Sequence, residues 1–139
     1  MAKIVLKDCF ISIDAVDLSD HFSSVTIETT FDEVDVTGFG SIYKEILQGL
    51  GDATITGSVF QDFAALSVDA TLWPLSQSGE PFEVVVRPTS AVVGATNPEY
   101  TMTGVLLAYN PLAGDIGSAA TTDVSIRNAS ATGLVRAIA

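Results

Sequence analysis

Short alternations of apolar and polar residues, separated by turn residues, run through most of the chain and predict a mainly β protein. Residues 3–7 and 9–14 read as an opening pair of short strands, with Asp14-Ala15-Val16-Asp17 turning the chain. From Phe22 to Thr30, Val25, Ile27 and Thr29 alternate with Ser24, Thr26, Glu28 and Thr30. Residues 53–61 repeat the habit, with Ala53, Ile55, Gly57 and Val59 opposed by Thr54, Thr56, Ser58 and Phe60. Phe82–Arg87 reads as a strand bracketed by Pro81 and Pro88, because proline interrupts a hydrogen-bonded ladder. Residues 99–109 form a longer strand. A last one covers 120–127, with Thr121, Asp123 and Ser125 on one face and Thr122, Val124 and Ile126 on the other.

One helix interrupts this pattern, at about 63–75. Asp62 is placed to cap its start. Phe63, Leu66, Ala70 and Trp73 fall at helical spacing and read as a face packed on a sheet, and Pro74 is expected to end the element. The architecture that follows is a β-sandwich or half-closed barrel with one flanking α-helix, a single domain over 1–139.

Residues 31–52 resist the scheme. They read as a long connection between strands, and connections beyond about 12–15 residues are uncommon and usually functional or disordered. This one carries Phe39, Ile42, Tyr43, Ile46 and Leu47, too apolar for a solvated linker, and is expected to order against a partner chain. Residues 88–98 make a second, polar connection. The tail, 128–139, is Ala-rich, with Leu134, Val135 and Ile138 apolar.

Composition sharpens the expectation of a partner. Among the 139 residues the hydrophobic share is 47%, the charged share only 17%, and the mean hydropathy is +0.42. Average soluble proteins carry about 25% charged residues. No run approaches the roughly 18 apolar residues of a membrane span. Extensive permanent protein interfaces are the better outlet for the surplus apolar surface. The first residues lack the apolar stretch of a secretory signal, and Cys9 is the only cysteine. The expectation is a chain folded in a reducing cytoplasm, with Cys9 as a buried, inert thiol beside Phe10 and Ile11.

No constellation of catalytic or ligating residues stands out in the chain. Six basic residues against 17 acidic ones give a net charge of −11, which cannot build a phosphate-gripping surface. His21 is the sole histidine, at the start of a strand, and reads as an ordinary surface residue. Zinc takes about four N or S ligands, and His21 and Cys9 supply two. The acid clusters Asp14, Asp17, Asp20 and Asp32-Glu33-Val34-Asp35 lack the spacing and glycine of an EF-hand loop. Gly49-Leu50-Gly51 has no following helix or lysine and is no phosphate cradle. No catalytic residue, metal or cofactor is expected.

Several stretches, taken in order and spacing, resemble the major tail tube proteins of long, flexible-tailed (siphovirus-like) bacteriophages. They begin with Asp17-Leu18-Ser19-Asp20-His21-Phe22-Ser23-Ser24-Val25-Thr26-Ile27-Glu28 and Asp32-Glu33-Val34-Asp35-Val36-Thr37-Gly38-Phe39-Gly40. Gln61-Asp62-Phe63, Val68-Asp69-Ala70-Thr71-Leu72-Trp73-Pro74-Leu75 and Val86-Arg87-Pro88-Thr89-Ser90 follow. Asn97-Pro98-Glu99-Tyr100 and Tyr109-Asn110-Pro111-Leu112 complete the match, which spans about Asp17 to Ile126. The resemblance implies a β-sandwich with a flanking helix, similar to the tubes of contractile tails and of type VI secretion. It also implies hexameric rings stacked into a hollow virion tube through which DNA passes. The long loop at 31–52 would then reach a neighbouring ring. Partners would be further copies of the chain and other tail proteins (tape measure, tail terminator, distal tail).

The residues support a channel in their own way. Polar faces of several strands are dominated by Ser and Thr with occasional acids, rather than by mixed charges. DNA carries about one negative charge per 1.7 Å, and the Debye length at physiological salt is about 8 Å. A hydroxyl-rich, acidic wall within that distance repels DNA and keeps it from sticking. Glu28 and Asp123, each in mid-strand on such a face, are the candidate lumen-facing acids, while Asp32, Glu33 and Asp35 suit ring contacts. Two other readings share the fold class: another tube- or ring-forming component of a virion or tailocin (a tail terminator or head decoration protein), and a free-standing β-sandwich binding module. The single Trp argues against the second, which would present an exposed aromatic platform.

Overall fold

The computed structural model describes residues 3–139; Met1 and Ala2, part of the expected single domain and of the start without a secretory signal, lie outside the described residues. Strand β1 (Phe10–Ile13) returns as β2 (Val16–Asp17) through a two-residue turn in which Asp14 and Ala15 have φ of 51° and 65°. A tight hairpin demands positive φ at both central positions. A 3-10 turn, Ser19–His21, leads into two long strands, β3 (Phe22–Asp35) and β4 (Ile46–Phe60). Helix α1 (Val68–Ser78) follows, and then β5 (Phe82–Arg87), β6 (Glu99–Tyr109), β7 (Thr121–Asn128) and β8 (Val135–Ala137).

All pairings are antiparallel, in the order β2-β1-β5-β6-β7-β4-β3, with β8 added to β6. One sheet therefore contains every described strand. The strands near its two ends share one core: Ile11 and Ile13 from β1 are buried in it, and Val25 and Ile27 from β3 pack against it. The sheet must curl to bring them together, so the half-barrel describes it better than two separate sandwich sheets. Val84, Met102, Val124, Ile126, Ile55 and Val59 fill the inside. Gly57 stands under the Phe22 ring, where an added Cβ would lie 2.8 Å from the ring and 2.7 Å from the Ser24 carbonyl oxygen. Only glycine lets the chains approach that closely.

Strands β5 and β6 have the predicted bounds. Elsewhere the structure corrects the expectations. Residues 3–7 form no strand, and Ile4, Val5 and Leu6 are exposed. Both edges of β1 are already paired, to β2 and β5, so no partner remains beside it for the preceding segment. The helix begins later than expected and continues through Pro74 to Gly79, which caps it in the left-handed conformation. Ala70 and Pro74 both face solvent, so water can serve the carbonyl that proline leaves without a donor. The buried helix face is Val68 and Leu72, with Leu75 partly covered, while Phe63, Leu66 and Trp73 are exposed. Part of the tail is also ordered: β8 pairs residues 99–101, and Leu134 packs on the core.

The largest difference lies at 31–52. Its two flanks are strand rather than loop: β3 and β4 stay paired from Phe31 opposite Gly51 to Asp35 opposite Ile46, past a register shift between Phe31 and Glu33. Only 36–45 connect them. The physical reason is that two strands satisfy each other's backbone groups and need no core to do so.

Candidate assembly surfaces

The register of β3, β4 and β7 lines up their outward side chains in three rows. Ser24, Ser58 and Asp123 form one; Thr26, Thr56 and Ser125 the next; Glu28, Thr54 and Arg127 the third. Glu28 and Asp123 thus share one face, and both are exposed. They stand about 16 Å apart, from four residues along a strand at about 3.3 Å and two strand spacings of about 4.8 Å. That is about two Debye lengths, so each acts on its own neighbourhood. The rows also contain a base that the strand pattern alone did not flag. Arg127 points out beside Thr54, and its guanidinium is paired with the Asp52 carboxylate. Glu28, Asp52 and Asp123 against Arg127 leave this face net negative. Thr101 and Thr103 belong to the other half of the sheet, opposite Val85 and Glu83, and do not join the rows.

The second surface is the outer half of the β3–β4 hairpin, which stands clear of the core as an arm. Phe39 and Ile42 are essentially fully exposed, Tyr43 is 85% exposed, and Ile46 and Leu47 remain about half exposed. The arm does not fold back on its own domain. Phe31, Val34, Val36 and Leu50 extend the apolar surface, and the alternation of Val34 and Val36 with Glu33 and Asp35 was a strand signal that the loop reading passed over. The tip is ordered by its own polar groups. The Thr37 backbone N–H donates to Asp35 Oδ1 (2.9 Å), the Glu45 N–H to Thr37 Oγ1 (2.9 Å), and the Val36 N–H to the Glu45 carbonyl (2.9 Å). The hydrogen bonds from Thr37 hold the Asp35 carboxyl below its ordinary pKa.

His21 is more than an ordinary surface residue. Its Nδ1 lies 2.8 Å from Asp20 Oδ1 and its Nε2 2.8 Å from Asp62 Oδ2, with 24% of the side chain exposed. Burial lowers its pKa, and the hydrogen bonds to Asp62 and Asp20 outweigh that and raise it. Asp62 accepts from the Ser67 hydroxyl (2.7 Å) and the Ala64 N–H (3.0 Å), which together with His21 bring its pKa down to about 2. Asp62 therefore organises the turn before α1 rather than capping a helix at 63. Ser67 Oγ also lies 3.5 Å from His21 Nε2, farther than its 2.7 Å bond to Asp62. The Ser67 hydroxyl donates to the carboxylate, and both ring nitrogens of His21 face acids. The group clamps the start of β3 to the segment before α1, a contact 41 residues apart in sequence. Cys9 is half-buried, and its thiol donates to the Arg87 carbonyl at 3.1 Å. Burial, with Asp8 beside it, raises its pKa.

Among the described residues no helix is long and apolar enough to cross a membrane. No protein-family model matches the chain, and no curated protein matches it. Solved structures do. A chain in the sixfold-symmetric tail of an empty gene transfer agent particle is 20% identical with a TM-score of 0.68, over 84% of this chain and 82% of that one. The SPP1 tail tube gives a TM-score of 0.71 at 9% identity, over 95% and 76%. A chain from the sheath/tube terminator structure of the extracellular contractile injection system PVC gives 0.75 at 10% identity, over 99% and 98%. The half-barrel with its flanking helix is thus a fold that this chain shares, along nearly its whole length, with chains from the tails and tube terminators of phage-like particles.

Proposed function

We propose that this chain is a structural, non-enzymatic subunit of a phage-like tail tube, polymerising into stacked hexameric rings within a virion. The observation that carries the reading is the hydroxyl-and-acid face of β3, β4 and β7, found on a fold shared with the SPP1 tail tube. Six-fold symmetry in the gene transfer agent tail supports the hexamer. In such a ring the three rows line the bore, with Glu28 and Asp123 facing the lumen. Duplex DNA then meets Ser and Thr hydroxyls that bind water well, and isolated carboxylates that repel phosphates within about 8 Å. Arg127 does not act as a phosphate anchor while Asp52 neutralises it.

The arm supplies contacts between subunits. Phe39, Ile42, Tyr43, Ile46 and Leu47 become buried, and Asp32, Glu33 and Asp35 take the rim. Further copies of the chain are the principal partner, DNA passes without specific binding, and the tape measure, terminator and distal tail proteins meet the tube at its ends. The chain is made in the host cytoplasm and ends in the tail. Likeness to the terminator structure favours a second reading, a ring that caps a tube instead of extending it. Electron microscopy of the purified protein decides between them. Tubes of uniform bore are expected; single rings would favour the cap, and monomers at high concentration would overturn both.

A further inference from the structure

The arm needs a receiving surface, and the structure offers one at the other end of the same two strands. β3 and β4 carry the arm beyond Phe31 and Gly51, while their opposite ends, Phe22 and Phe60, lie beside the segments 61–67 and 110–120. Gln61 ties those segments together: its N–H donates to the Ala120 carbonyl and its Nε2 to the Ala113 carbonyl, both at 2.9 Å. On this platform Phe63, Leu66, Leu112 and Ile116 are all more than half exposed, and Phe60 is partly so. The function proposed above assigns no role to these residues.

The geometry points to this platform as the socket for the arm of a second copy, a heterologous head-to-tail contact that rests on the tube reading. Areas are consistent with it. An exposed aromatic side chain offers about 150–250 Å², and an aliphatic one about 60–120 Å² on the usual transfer scale. At the observed exposures the arm presents about 600–1,050 Å² of apolar surface and the platform about 300–570 Å². One side of a standard interface is about 800 Å², of which about 57–65%, or about 460–520 Å², is apolar, a figure within the range the platform offers. Arm-to-arm pairing would be isologous and would close after two copies instead of propagating. Asp32, Glu33, Asp35 and Glu45 against Lys44 make the arm acidic, and the platform carries Asp62 and Asp115 without a base, so the contact rests on apolar area rather than on net charge. The platform offers Asp115 to Lys44, and among the described residues neither is in an ion pair with any other group. The two surfaces lie at opposite ends of one hairpin, so each copy keeps a free arm after its socket is filled. Such a contact propagates.

The test uses the full chain and two double variants, Phe39→Ser/Tyr43→Ser on the arm and Leu66→Ser/Ile116→Ser on the platform. All four side chains are exposed, so circular dichroism is expected to match the parent. Neither variant alone should form tubes. Mixed together they should make one joint and stop, because a copy without an arm still has a socket and the reverse; mass photometry would show two rings and no longer stack. Tubes from the platform variant, or long tubes from the mixture, would overturn the socket while leaving the tube reading intact. Absence of polymer from the unaltered protein would sink both. A photo-crosslinker at Phe39 gives a readout that needs no loss of assembly. Links to 60–66 or 110–120 of a second copy are expected, and links confined to other regions reject the assignment.

Discussion

Between Phe22 and Thr30 the β3–β4 hairpin lies on the core: Val25 and Ile27 pack against it, and Ala53, Ile55 and Val59 are buried. Between Phe31 and Asp35 the same two strands, still paired, carry Phe31, Val34, Ile46 and Leu47 into solvent. Backbone pairing is alike in the two halves; what differs is the third layer. In the inner half β7 extends the sheet from β4 and the curled sheet closes over the side chains. In the outer half neither exists. The contrast separates two causes that are easily merged. Hydrogen bonding makes a strand, whereas tertiary neighbours decide whether its apolar residues hold up the fold or wait for a partner.

Removing the outer half is the severest way to break the comparison. Replacing residues 38–48 with a short Gly-Ser link should abolish polymerisation while the monomer keeps its far-ultraviolet dichroism and cooperative melting. Tubes formed without those residues would show the arm to be dispensable.

Single truncations sharpen the contrast within one ladder. Ile55→Ala should cost about 2–5 kcal/mol, the usual range for buried aliphatic truncations. Ile46→Ala, in the exposed half, should stay within about 0.5 kcal/mol of the parent. Urea denaturation of the unassembled chain reads both, and equal costs would mean that the arm is packed on its own domain.

A smaller effect, on transport rather than assembly, is expected on the outward face of the inner half. Glu28→Lys with Asp123→Lys turns this outward face basic while leaving the inner face untouched. Tubes should form normally and DNA ejection should slow; unchanged ejection kinetics would remove these acids from the lumen.

The smallest effect concerns the clamp at the foot of the hairpin. The pKa of His21 is raised in the folded state, so its contribution is complete below about pH 6.5 and fades as pH rises through the folded value. The pKa of Asp62 is lowered to about 2, so its contribution is present above about pH 4 and is lost as pH falls toward 2. Stability of the unassembled chain should therefore decline modestly from pH 6 to 8, and His21→Asn should flatten that slope. An unaltered slope would exclude the histidine as its source.

Local chemistry made much of this legible. The prolines at 81 and 88 and the alternation between them gave β5 its bounds, and a simple period of two gave β6. The hydroxyl-and-acid character of the outward positions on β3, β4 and β7 was also plain, because facing follows from parity along a strand. Other features depended on partners distant in the chain. The helix start was misplaced because Phe63 and Leu66 mimic helical spacing, while the turn there is held by His21 and Ser67 on Asp62. Residues 3–7 alternate like a strand and find no open edge next to β1.

The sequence by itself determined which residues face together along each strand, the predominance of β structure, the acidity, and an apolar surplus suited to interfaces. Tertiary structure alone decided that β3, β4 and β7 lie side by side, that Asp52 answers Arg127, and that an apparent loop is a paired arm. Parity is a property of one strand's backbone geometry and can be read locally. Adjacency is a choice among many pairings, made by burial of the whole core.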